Sequence, residues 1–194
     1  MSIFELYFKL GLQHIADLKG YDHILFILIL CAVYSLKEWK RVLVLVTAFT
    51  IGHSLTLALA TLDLIRVDGD LIEFLIPLTI FLTALANLFS RKHQVSPLLH
   101  FLKYTAALFF GLIHGLGFSN YLRSLLGAEQ GLVRALFSFN VGIEAGQIII
   151  VSIIMLLTKV VVDIIGFPRR EWHVLLSGAG LGISLVLMVE RFPF

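Results

Sequence analysis

His53 and Glu144 are ionisable side chains set inside runs of otherwise apolar residues long enough to cross a bilayer. A charge at that depth is costly, so such groups face a bundle interior and mark substrate, ion or proton sites. His114, Asn140 and Gln147 occupy comparable positions. Imidazole and carboxylate together suit zinc, nickel, iron or copper, whose selection rests on geometry and availability more than on ligand type. The single cysteine, Cys31, excludes an internal disulfide and a cysteine-rich zinc knuckle. Any metal must therefore be held by histidine, carboxylate and amide groups.

Four segments carry these residues. In FNVGIEAGQ, Asn140, Glu144 and Gln147 are spaced to share one helix face, and Gly142 and Gly146 form a small-residue pair that admits a neighbouring helix. Glu144 lies ten residues from Arg134, or ~15 Å along a helix, near mid-membrane. In TAFTIGHSLTLALA, His53 stands beside a stripe formed by Thr47, Thr50 and Ser54. Ser54 reads as a packing group or a donor supporting the ligands. In FFGLIHGLGF, Gly111 and Gly115 bracket His114. In LQHIADLKGYDHILF, Asp22 and His23 open an apolar run and His14 precedes them. Asp22 reads either as a helix cap or as a ligand, and His14 and His23 either as interfacial groups or as ligands at an entrance. For each of these residues the alternative is structural: a hydrogen-bonded group holding helices together. His93, His100 and His173 read as solvated or interfacial. Gly178, Gly180 and Gly182 read as packing, because no strand precedes them and no Walker lysine follows.

The elements that must position these residues are transmembrane helices. Of 194 residues 59% are hydrophobic and only 14% charged, too little charge to cover a soluble domain. A net charge of +2, with no basic stripe interleaved with aromatics, gives no footprint for nucleic acid. The expected fold is all-α, a polytopic helical bundle forming a single domain over residues 1–194. Six spans are expected, at about 22–36, 41–62, 71–89, 99–118, 132–161 and 172–189. Residues 3–18 alternate Phe4, Phe8, Leu12 and Ile15 with Glu5, Lys9 and Asp17, the pattern of an interfacial amphipathic segment within 1–20, or of a seventh span. Pro77 suggests a kink and Pro97 a helix start. No A-x-A cleavage signal marks the N-terminal stretch, so no removable signal peptide is expected.

Loop charge sets the expected orientation. Lys37, Lys40 and Arg41, then Arg91, Lys92 and Lys103, then Lys159, Arg169 and Arg170 assign three connections to the cytoplasm. The acidic connection carrying Asp63, Asp68, Asp70 and Glu73, and the loop from Ser119 to Gly131, then face outward. With six spans both termini are periplasmic, in a bacterial inner membrane.

In this order, GLQHIADLKGYDHILF, AFTIGHSLTLALA, FFGLIHGLGF and FNVGIEAGQ resemble the HupE/UreJ family of hydrogenase and urease accessory membrane proteins, over residues 11 to about 150. The resemblance implies nickel, with His14, Asp22, His23, His53, His114 and Glu144 as metal ligands. Some members begin with a cleavable signal peptide, which this chain is not expected to have.

Two functions follow as expectations. The first is a permease or metal-binding accessory protein for a divalent transition metal, nickel foremost. His14, Asp22 and His23 would collect the ion, and His53, His114 and Glu144 would bind it, with Asn140 and Gln147 orienting them. A chain this small would pair with a second copy to alternate access. The other is an intramembrane zinc-dependent hydrolase acting on a lipid or membrane-anchored peptide, with Glu144 as base. No HExxH helix is present to support it.

Overall fold

The computed structural model describes residues 2–18, 20–89, 97–119, 122 and 131–193, and within them the chain is all-helical, without strands. Arg91, Lys92 and His93, and most of the loop from Ser119 to Gly131, lie outside the described residues.

Helix α1 runs Ile3–Ile15, with Ser2 Oγ accepting a hydrogen bond from the Glu5 amide at 3.2 Å. Helix α2 runs Asp22–Ala32. A 3₁₀ turn, Leu36–Glu38, is closed by reciprocal Ser35 and Glu38 hydrogen bonds and leads into α3, Trp39–Thr61. Asp63 adopts the left-handed conformation (φ 62°) and pairs with Arg66. Asp68 then accepts from the amides of Asp70 and Leu71, capping α4, Gly69–Phe89. Pro77 lies inside α4. Helix α5 starts at Pro97, as expected, and runs to Gly117. Helix α6, Leu132–Lys159, continues through a π-helical turn, Val160–Ile164, and the chain turns at Gly166 (φ 82°). Helix α7 is Arg169–Glu190.

Four of the described helical stretches are long and apolar enough to cross a membrane: Leu36–Thr61, Gly69–Phe89, Leu132–Ile164 and Arg169–Glu190. The stretch expected to form the first span does not do so alone. Helix α2 has 11 residues and α1 has 13, or ~16 and ~20 Å, against the ~30 Å of a bilayer core. Residues 16–18, 20 and 21, which lie between them, are not in regular helix.

The helices pair through glycines. A Cβ on Gly52 would overlap the Leu108 carbonyl, and one on Gly111 or Gly115 would overlap the carbonyl of Phe49 or His53. Only hydrogen at these positions lets α3 and α5 touch backbone to backbone. A second seam joins α1 to α6, where Gly11 meets the Phe139 carbonyl and Gly142 meets that of Phe8. In α7 only Gly180 packs within the chain, against Ile29, whereas Gly178 and Gly182 have open space beside them. Helix α2 lies against α3, α4, α6 and α7. Asn87 of α4 donates Nδ2–H to the Ile29 carbonyl at 2.8 Å, satisfying an acceptor at the C-terminal end of α2.

Candidate metal site

The seam between α3 and α5 brings His53 and His114 to one level, because Gly115 rests on the His53 backbone. The seam between α1 and α6 delivers the last turn of α1, which carries His14. The first turn of α2 supplies Asp22 and His23. The rings of His14 and His23 are 4.8 Å apart, those of His14 and His53 5.8 Å, and those of His23 and His53 6.0 Å. One ligand nitrogen from each of His14, His23 and His53 lies within 4.8 Å of the other two. His114 joins from the α5 side, its ring 5.1 Å from that of His23.

Most of this cluster is buried, with His14 partly exposed. His53 is 0% and His114 1% exposed. Phe118 lies 3.9 Å from the His14 ring, Phe49 5.0 Å and Phe26 5.5 Å from that of His114. Such a surround lowers the local dielectric and controls access of water to any bound ion.

The hydrogen bonds assign protons. Asp22 Oδ1 lies 3.1 Å from His23 Nδ1. A carboxylate only accepts, so Nδ1 carries the proton and Nε2 keeps its lone pair. Asp22 is itself held by the His23 amide at 2.9 Å and by Arg191 at 3.3 Å. On the other side, Thr79 donates its hydroxyl proton to the Ile76 carbonyl at 2.7 Å and lies 3.1 Å from His114 Nε2. With that proton committed, Thr79 accepts from Nε2–H and the lone pair of His114 sits on Nδ1. The nitrogens left with lone pairs, His23 Nε2 and His114 Nδ1, are both buried without a partner. So are His14 Nε2 and both nitrogens of His53. A buried acceptor without a donor costs about 1–3 kcal/mol, a cost that a cation held by such atoms would relieve. Imidazole lone pairs suit a transition metal. Tetrahedral zinc brings its nitrogen ligands to ~3.4 Å of one another, so three nitrogens spread over as much as 4.8 Å are a looser set than such an ion would hold.

Of the residues expected to act together, His14, Asp22, His23, His53 and His114 are assembled here. Glu144 is held elsewhere: Thr47 Oγ1 donates to its Oε1 at 2.6 Å, and Thr47 lies six residues from His53 on α3, ~9 Å along the axis. Gln147 accepts from Thr50 at 2.6 Å, and Asn140 Oδ1 is buried without a partner. Ser54 is half-buried beside His53, while Thr56, one turn from Gly52, bonds the local backbone. Thr79 and Arg191 are the contributors that the sequence reading missed. A hydroxyl two residues after Pro77 was the available signal for the first. The second, placed at the chain end, gave none.

A cavity of about 160 Å³ lies on the far side of Phe26, lined by Leu30, Tyr34, Asn87, Lys103 and Phe110 among others. The Lys103 ammonium stands 5.3 Å from the Tyr34 ring centroid.

A helical membrane protein with a buried cluster of histidines is the class that this fold and site define. The family model described as HupE / UreJ protein matches residues 1–191, and the chain belongs to that family. No curated protein and no solved structure matches the chain.

Proposed function

We propose that the protein binds a divalent transition-metal ion, nickel foremost, at His14, His23 and His53 with His114 alongside, and carries it across the membrane or passes it to a partner. The observation that carries this reading is the grouping of His14, His23 and His53, one nitrogen of each within 4.8 Å of the others, with several buried imidazole nitrogens left unpartnered, inside an otherwise apolar bundle. Asp22 orients His23 and offsets its charge against Arg191. The metal is cargo, and a loose cradle suits an ion that must also leave.

The hydrolase reading has less support. Glu144, its intended base, is engaged by Thr47, and Asp22 by His23 and Arg191. The cavity beyond Phe26 is no route for a cation either, because Lys103 lines it.

In this reading α1 and α2 together make one broken crossing, and with α5 they bring the total to six. Broken helices are tolerated where their irregular backbone lines a site. Lys37, Lys40 and Arg41 before and within α3, and Arg169 and Arg170 at the start of α7, then face the cytoplasm. The termini face the periplasm of a bacterial inner membrane. A second copy of the chain would complete an alternating-access unit.

The test is elemental mass spectrometry on detergent-purified protein after loading with nickel or zinc and desalting. Near-stoichiometric metal in the wild type, lost in His53→Ala and His23→Ala of normal elution profile, is the expected result. A folded wild type that retains neither metal would overturn the reading in favour of a purely structural role for the histidines.

A further inference from the structure

Glu144 sits twelve residues into a helical stretch that runs from Leu132 to Ile164, ~18 Å from its start and near mid-membrane. Among the described residues no lysine, arginine or histidine contacts its carboxylate. Its one hydrogen bond comes from Thr47, to Oε1. Oε2 is buried with no partner. One turn earlier on the same face, Asn140 Oδ1 is also buried with no partner. With Glu144 ionised both orphan atoms are acceptors, so neither satisfies the other, and each lacks a donor or a cation. A proton on Glu144 would make its carboxyl a donor toward one acceptor. A cation between them would serve both.

The atoms available are all oxygens: the Glu144 carboxylate, Asn140 Oδ1 and Thr47 Oγ1, with Gln147 Oε1 and Thr50 Oγ1 one turn further along. Carboxylate, carbonyl and hydroxyl oxygens select hard cations and discriminate against the nitrogen-seeking metals that fit the histidines. The set carries one formal negative charge, which a monovalent ion neutralises and a divalent ion would overcompensate inside the membrane.

We infer that Glu144, Asn140 and Thr47, on the seam between α3 and α6, form a second cation site, built of oxygen donors and taking a monovalent alkali ion, for which sodium is the probe. This site stands apart from the histidines and does not depend on their binding a metal. Occupied, it would tie α6 to α3, the helix that also carries His53.

The experiment is saturable binding of ²²Na⁺ to detergent-purified protein in choline-balanced buffer, paired with the apparent melting temperature against sodium concentration. Expected are saturable binding and a sodium-dependent rise in melting temperature for wild type and His53→Ala, with affinity falling at least tenfold in Glu144→Gln and severalfold in Thr47→Val. Thr47→Val keeps the side-chain shape and guards against a folding defect in the first variant. Absence of saturable binding in folded wild type, or unchanged binding in both variants, overturns the inference. So does stabilisation that responds to pH alone. Retention in His53→Ala separates this result from the fate of the transition-metal site.

Discussion

Asp22 Oδ1 sits 3.1 Å from Nδ1 of His23, its neighbour in sequence, and so decides which nitrogen of that ring can face an ion. Groups that orient a ligand in this way contribute about 10–100-fold to metal affinity. Asp22→Asn keeps an acceptor for Nδ1–H but loses the charge, and should weaken nickel binding within that range. A competition titration with a chromogenic chelator reads the shift. Affinity equal to wild type would mean that His23 is oriented without its carboxylate.

Thr79 plays the corresponding part for His114, on the opposite side of the cluster. Thr79→Val preserves shape and removes the acceptor for Nε2–H. The ring is then free to take the other tautomer, and metal affinity should drop severalfold. Thr79→Ser should restore it. If valine leaves the titration unchanged, His114 is a bystander.

Gly115→Ala should lower the apparent melting temperature sharply, because the new methyl group would overlap the His53 carbonyl and Thr56 Oγ1. Gly178→Ala, with nothing within 4 Å, should leave it unchanged or raise it slightly through helix propensity. Differential scanning fluorimetry in one detergent compares the pair. Equal losses would refute close contact of α3 with α5.

Asn87→Leu removes the donor to the Ile29 carbonyl. Side-chain hydrogen bonds inside membrane bundles average about 0.6 kcal/mol, and here an acceptor at a helix end is also orphaned. A loss of about 1–2 kcal/mol in stability is expected, read by denaturant unfolding in mixed micelles. Metal stoichiometry should persist.

Orientation can be read by cysteine labelling in spheroplasts. In a Cys31→Ser background, Asp68→Cys should react with a membrane-impermeant maleimide from outside, and Arg169→Cys only after permeabilisation. The reverse pattern would invert the proposed topology.

Much of this site was legible from the residues. His53 and His114 declared themselves by depth, and the glycines around His114 announced a close helix contact. What sequence did not show was that α1 packs into the bundle and shares the site with α2. An apolar run beginning at Asp22 looks like the start of a span, and only tertiary packing of Gly11 on Phe139 reveals that α1 is drawn in beside α6. Glu144 shares a face with Asn140 and Gln147 as its spacing requires. A face, however, does not name its partner: whether that stripe meets histidines or threonines depends on how α3 and α6 cross. The same limit hid Arg191, which is far from Asp22 in the chain and meets it through the packing of α7 beside α2.

The described residues between Ile15 and Asp22 are non-helical, and His14 and His23 stand on either side of that joint. In the proposed site the two imidazoles are therefore brought in by separate helices rather than by neighbouring turns of one. Gly11 and Gly142 lock α1 against α6, so drawing His14 away from His23 would require that seam to part as well as the joint to bend.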